Sequence, residues 1–335
     1  MIRVLSIDGG GIRGIIPATW LMKLEELAGK PTFELFDIVV GTSTGGILAL
    51  GLTCPSETGE PHSAAALRGL YVDHGGEIFS DVPGGGAAQA GAAGADAATG
   101  GPGGEARYSS DPLRRYLDGY FGDRPLSAAV KPVAVVTVDL AHFAGLLFSG
   151  GGLDQGVLGD APMATAALAT SAAPTYFEPV PYTGTDGVRR LLVDGGLAAN
   201  DPAFVGLTMA MIQQRRSSDD AGILLVSLGT GVQAGGSSLE PSAVAQLAHP
   251  AQRSALEPIV ETLYGAPGVL TRRLIALVLG DQYVRAQTEL LPGVDHALDD
   301  ASPENISGLL RTADALVSAD AAVLQDLAGR LARRG

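Results

Sequence analysis

Two apolar runs, each ending in a cluster of glycines and each followed by a helical pattern, constrain the fold of this chain more than any other feature. The first, Ile2–Ile7, is rich in β-branched residues and closes on Asp8-Gly9-Gly10-Gly11. The second, Phe36–Val40, closes on Gly41-Thr42-Ser43-Thr44-Gly45-Gly46. Between them Ile15, Leu21, Leu24 and Leu27 fall on one helix face, and Ile47–Leu52 continues the second unit as another helix. Strand, helix, strand, tight turn and helix in that order favour an α/β fold, with a mainly parallel sheet covered by helices on its faces. Val133–Val138, Leu191–Val193 and Ile223–Leu228 read as further strands.

From Pro83 to Gly104 the sequence falls into glycine and alanine, with almost nothing to bury. It has the composition of a flexible insertion. Strands lie on both sides of 83–104, so the expectation is one domain over 1–335 rather than two joined by a linker. A helical C-terminal region is expected from about 241. Within it Ser302-Pro303-Glu304 is a strong helix start, and Leu309, Leu310, Ala313, Leu316, Val317, Leu324 and Leu327 mark the stripe of one long terminal helix.

A formal charge of −14 argues against nucleic acid as a partner, because phosphates demand Lys and Arg clusters. It also disfavours simple electrostatic adhesion of the whole chain to an anionic bilayer, so peripheral membrane contact should rely on local apolar surface. Cys54 is the only cysteine, which removes intrachain disulfides and Cys-based zinc sites. The apolar run at the N-terminus is too short for a signal-peptide core, and no stretch approaches the ~20 apolar residues needed to span a bilayer. The expectation is a soluble, cytoplasmic protein; its oligomeric state is left open.

Three constellations carry chemistry. Gly41-Thr42-Ser43-Thr44-Gly45 fits the nucleophile elbow, in which a serine at a strand-to-helix turn adopts strained angles and the flanking glycines Gly41 and Gly45 relieve clashes. A chain of this composition would contain G-x-S-x-G by chance about 0.4 times, so the pattern gains weight from its place between an apolar strand and an apolar helix. Asp8-Gly9-Gly10-Gly11-Ile12-Arg13-Gly14 satisfies the dinucleotide fingerprint G-x-G-x-x-G. The ribose-binding acid expected some twenty residues on falls inside a helix, at Glu25 and Glu26, while Asp37 lies near the start of the next strand. The alternative is a loop presenting backbone N–H groups of Gly9, Gly10 and Gly11 to an acyl oxyanion, with Arg13 adding charge or bracing the loop against an acid such as Asp8. Asp194-Gly195-Gly196 follows the 191–193 strand and offers a carboxylate base. Histidine is the usual base, but His62, His74, His142, His249 and His296 lack an adjacent signature; His142, just past the 133–138 strand, is the best of them.

With these motifs in this order the chain resembles the patatin-like phospholipase family. The resemblance covers Ser6–Gly14, Leu35–Leu52, the run Ala169-Thr170-Ser171-Ala172-Ala173-Pro174-Thr175-Tyr176-Phe177, Asp194–Pro202 and Leu225–Gly231. It implies a three-layer α/β/α sandwich and a Ser–Asp dyad of Ser43 and Asp194, with the Gly9–Gly11 loop as oxyanion hole and Gly14, Gly195 and Gly196 as supporting motif positions. It also implies fatty acyl ester substrates met at a membrane or micelle surface, and chemistry that needs no cofactor or metal. The expected activity is a lipid acyl hydrolase of phospholipase A type working through an acyl-serine. The alternatives are an acyltransferase of the same dyad chemistry and a nucleotide-binding protein using the glycine loop. One departure is Asn200-Asp201-Pro202, where relatives often carry Asn-Asn-Pro; Asp201 can still cap a helix beginning at Pro202. The Gly/Ala insertion is the other.

Overall fold

The computed structural model describes residues 1–80, 106–217, 222–233 and 256–333, so the Gly/Ala stretch at 83–104 and residues 241–255 lie outside the described residues. The strands are β1 (Ile2–Ile7), β2 (Ile38–Thr42), β3 (Val133–Asp139), β4 (Ala144–Gly150), β5 (Val180–Thr183), β6 (Arg189–Asp194), β7 (Ile223–Leu228) and β8 (Tyr283–Ala286). They form one sheet in the order β5-β6-β3-β2-β1-β7-β8, with β4 on β3. The run from β3 through β2, β1 and β7 to β8 is parallel, while β4 and β6 run antiparallel to β3 and β5 antiparallel to β6.

Side chains alternate across a strand, and here the alternation separates two cores. Leu5, Ile7, Val39, Val133, Val135, Leu224 and Val226 face one side. There they pack with α1 (Ile15–Ala28), α3 (Thr44–Gly51), α4 (Ala64–Ile78), α5 (Asp111–Phe121) and α6 (Met163–Thr170). Val4, Ile38, Val40, Ala134, Ile223 and Leu225 face the other side, under α8 (Ala203–Ser217) and α9 (Leu256–Leu279). The short helices α2 (Thr32–Leu35) and α7 (Gly196–Ala199) lie just before β2 and just after β6. The result is the expected α/β/α sandwich.

Two details depart from the expectation for the C-terminal region. It supplies a strand as well as helices, since β8 extends the sheet beyond β7. The expected single terminal helix is also two, α10 (Pro303–Ala319) and α11 (Ala321–Ala332). Ser302 caps α10 as its sequence indicates, accepting the Asn305 N–H at 3.2 Å. The break falls at Asp320, whose carboxylate accepts the indole N–H of buried Trp20 at 2.9 Å and so fixes the chain at that point.

Candidate active site

The sheet brings Ser43 and Asp194 together by an end-to-end meeting of two strands. β4 occupies one side of β3 along its whole length, from Val133 to Asp139. The other side is shared: β2 pairs with it up to Thr42↔Val136, and β6 takes over at Thr137↔Asp194. β2 runs parallel to β3 and β6 antiparallel, so their C-terminal ends point at each other across adjacent rungs. Ser43 leaves the end of one and Asp194 closes the other.

Ser43 has φ 54° and ψ −126°, a region that L-residues other than glycine rarely occupy, at the N-terminus of α3. The turn is held tightly enough to require glycines. A Cβ on Gly45 would lie 2.2 Å from the Ile7 carbonyl oxygen, and one on Gly41 would lie 2.0 Å from the Gly45 carbonyl oxygen. The Ala169–Phe177 run splints the junction. Thr170 Oγ1 accepts the Ser43 N–H at 2.9 Å and donates to the Val136 carbonyl at 2.6 Å. Two residues on, the Ala172 carbonyl accepts the Asp194 N–H at 2.9 Å, and the Thr170 carbonyl accepts that of Gly195 at 3.2 Å. One short segment therefore sets the height of both side chains. Gly195 is packed against the Val136 carbonyl, where a Cβ would approach to 2.2 Å.

Asp194 is 1% exposed, and burial pushes its carboxyl up to about 7. The facing Ser43 hydroxyl and the Gly196 N–H, donated to Oδ1 at 2.7 Å, pull the other way. A carboxylate poised near neutrality is far better suited to accept a proton than one at its ordinary value of 3.8.

The glycine loop runs beside Ser43. The Gly9 N–H is donated to the Asn200 carbonyl at 3.0 Å, and the Gly9 carbonyl accepts Thr230 Oγ1 at 2.9 Å. Gly9 thus anchors the loop, which narrows the expected oxyanion donors to Gly10 and Gly11, both bordering the same pocket as Ser43. Gly14 packs on Thr44, with a Cβ there coming within 2.2 Å of Thr44 Oγ1. Arg13 braces the loop by donating to the carbonyls of Gly10 at 3.3 Å and Gly231 at 3.4 Å. The acid expected to meet Arg13 has another partner: Asp8 is held by Arg285, whose two terminal nitrogens reach its carboxylate at 3.0 and 2.5 Å. Arg285 also lies 3.7 Å from Asp201, which pairs with Arg272 of α9 at 3.1 Å and accepts the Ala203 N–H at 3.1 Å as the expected cap of α8. Of the acids weighed for a ribose, Asp37 and Glu25 hold the chain together and Glu26 pairs with Lys23 at the surface. Asp37 is clamped by Arg3 at 2.8 and 3.0 Å, and Glu25 accepts the Thr32 N–H at 2.9 Å.

Ser43 and Asp194 open on a predominantly apolar pocket lined by Ile47, Leu70, Ile78, Phe79, Leu113 and Phe177, with Tyr71, Tyr176 and Tyr264 at its sides. Tyr264, from α9, stands against Gly196 next to Asp194. Sequence reasoning had no signal for Tyr264 or Arg285, which reach the site from far along the chain. Thr170, Tyr176 and Phe177 fall within the run Ala169–Phe177, to which the residues alone assign no role. Among the described residues no histidine lines this pocket. His142 sits beyond the end of β3, half exposed, with Nδ1 2.7 Å from Asp139; His249 lies outside the described residues.

A serine on a strained strand-to-helix turn, a buried carboxylate facing it and an apolar pocket before both lie together at one end of the sheet of an α/β/α protein. The comparisons give the particular family. The family model for patatin-like phospholipase matches residues 5–207, more than half of the chain. Patatin-like protein 2 of Arabidopsis thaliana is 30% identical over 95% of this chain and 83% of its own length. Patatin group J-1 of Solanum tuberosum is 30% identical, over 95% and 84%. Patatin-like protein 2 of Oryza sativa subsp. indica is 31% identical over the same shares. The crystal structure of VipD from Legionella pneumophila aligns at a TM-score of 0.40 and 12% identity, covering 95% of this chain and 67% of that one, too loosely to add to the argument. The chain belongs to the patatin-like phospholipase family and is a lipid acyl hydrolase.

Proposed function

We propose that the chain cleaves fatty acyl esters of phospholipids as a phospholipase A-type serine hydrolase, with Ser43 as nucleophile and Asp194 as its base. The observation that carries this reading is the head-on meeting of Ser43 and Asp194 at the mouth of an apolar pocket. The acyl chain lies among Ile47, Leu70, Ile78 and Leu113, which places the ester carbonyl over Ser43. Ser43 Oγ attacks the carbonyl carbon as Asp194 takes the hydroxyl proton. The oxygen that gains negative charge is held by the N–H groups of Gly10 and Gly11 and by the positive end of α3. The intermediate collapses with cleavage of the ester C–O bond, and Asp194 returns its proton to the departing alcohol oxygen. The acyl-serine then meets a water that loses its proton to Asp194 and attacks the same carbon. Collapse releases the fatty acid and gives the proton back to Ser43.

The direct test is fatty acid release from mixed phospholipids, galactolipids and triacylglycerols by wild type and by Ser43→Ala, with an added alcohol acceptor in a parallel arm. Free fatty acid lost in the variant supports hydrolysis. Acyl transfer to the acceptor as the main product would replace the hydrolase with a transferase of the same chemistry.

A further inference from the structure

From Tyr264 to Leu279 α9 carries apolar residues on both its inner and its outer side, which is unusual for a helix at the surface of a globular protein. Its inner side is accounted for: Tyr264 reaches the pocket, Arg272 pairs with Asp201, and Ile275 joins the core with Ala203 and Leu207 of α8. Its outer side carries Leu270, Leu274, Leu277 and Val278, spaced i, i+4, i+7 and i+8 on one stripe and 61%, 51%, 83% and 70% exposed. α8, packed beside it, repeats the pattern with Phe204, Met211 and Ile212 exposed and Arg215 and Arg216 continuing the face.

The charge of this surface opposes that of the rest of the chain. The acids of α9, Glu257 and Glu261, fall in its first two turns; from Tyr264 to Leu279 and along α8 there is none. Arg215, Arg216 and Arg273 are exposed there while Arg272 turns inward to Asp201, although the chain has 36 acids and a net charge of −14. Leucines rimmed by arginines match the interface of an anionic lipid layer, with acyl chains for the leucines and phosphates for the guanidinium groups. No helix among the described residues is long and apolar enough to cross a membrane, so α9 would lie along the surface.

We propose that the outer face of α9, flanked by α8, is the surface that docks this chain on an anionic phospholipid bilayer. The proposal rests on the lipid-hydrolase reading and names its partner surface. The same helix that lies on lipid places Tyr264 beside Asp194, so docking brings the membrane next to the pocket that takes the acyl chain.

The test is co-sedimentation of the full chain, carrying Ser43→Ala to keep lipid intact, with vesicles of phosphatidylcholine alone or with one quarter phosphatidylglycerol. Leu270→Ser/Leu274→Ser/Leu277→Ser should bind at least about tenfold more weakly, since each leucine forfeits apolar burial. Arg273→Glu should lose affinity mainly for the phosphatidylglycerol vesicles. Val323→Ser, an exposed apolar position on α11 across the sheet, should bind as the parent does. On the Ser43 background the triple variant should keep its rate on a soluble short-chain ester, which separates loss of docking from loss of fold or chemistry. Should the triple variant misfold, Leu277→Cys carrying a polarity-sensitive dye gives the second readout, because Cys54 is buried; the dye emission should shift to the blue on vesicles. Undiminished binding by a folded triple variant, or no blue shift, would overturn the proposal. So would a parent that binds no vesicles, or one that sediments as a dimer which the triple variant dissociates, making a second copy the occupant. Absence of ester hydrolysis by wild type would instead strike the hydrolase reading, leaving the vesicle result to stand or fall separately.

Discussion

Ser43 and Asp194 face each other because β2 and β6 run toward one another along the same side of β3, with Thr42 opposite Val136 and Asp194 opposite Thr137. Their separation is therefore fixed by a sheet rung rather than by loop conformation. A site built on strands in this way is stiffer than one hung on loops.

Asp194→Asn is the sharpest single substitution at this junction. The amide has the carboxylate's shape but cannot accept the serine proton, so turnover should fall by several orders of magnitude while the fold persists. The stability effect has a definite sign. Asp194 is raised from 3.8 to about 7, so between those values the folded chain holds this proton more tightly than the unfolded chain does. The contribution of Asp194 to stability is therefore most favourable below about pH 4, declines as pH rises through the window, and is lowest above about 7. Melting curves should show the Asn variant gaining on wild type at about pH 8, with the gain fading toward about pH 4. A gain that grows on acidification would contradict the burial account.

The same ionisation should govern activity. Asp194 must be unprotonated to act as base, so kcat/KM on a soluble ester should rise with pH through an acidic limb near 7 and then level. A limb at the ordinary carboxylate value would mean that Asp194 is not the titrating base.

Thr170 should prove a positioning residue. Thr170→Val removes one hydroxyl but leaves the Ser43 N–H and the Val136 carbonyl unpartnered in the core, at a cost of about 1–3 kcal/mol for each buried group left unsatisfied. The expected kinetic signature is a fall in kcat with KM little changed, since the hydroxyl holds the elbow and does not line the pocket, and a partial rescue in Thr170→Ser. Equal kcat for the Val variant would show that the strained turn holds itself.

How much of this was legible in the sequence follows from how local each interaction is. The elbow, the glycine loop and the strand ending in Asp194 were readable because each is a contiguous turn whose backbone demands glycine. The strand–helix order gave the parallel centre of the sheet. β4 was missed because Ala144–Gly150 carries two glycines, Gly145 and Gly150, and no β-branched residue. Proximity in sequence offers Asp8 as one brace for Arg13, whereas the actual pairing of Asp8 with Arg285 spans 277 residues and exists only once β8 joins β7. The same holds for Tyr264 and the break at Asp320: each is settled by a contact between distant segments that periodicity does not record.

No histidine should be required. Substitution of His62, His74, His142, His249 and His296 by Asn, one at a time, should leave most of the activity, read as kcat/KM on a soluble ester. His142 is the instructive case, because its pairing with Asp139 imitates the carboxylate–histidine half of a triad but lies outside the pocket. Loss of activity in folded His142→Asn matching that of Ser43→Ala would make Asp194 an orienting group instead of the base.

The most direct measurement is fatty acid release from phosphatidylcholine vesicles by wild type, Ser43→Ala and Asp194→Asn side by side, with fluorophosphonate labelling mapped by peptide mass. Wild type should release fatty acid and carry the label on Ser43, and both variants should be inactive while still melting cooperatively at neutral pH, Ser43→Ala near the wild-type temperature and Asp194→Asn at or above it. Label on another serine, or phospholipid cleavage undiminished in either folded variant, would contradict the Ser43–Asp194 account.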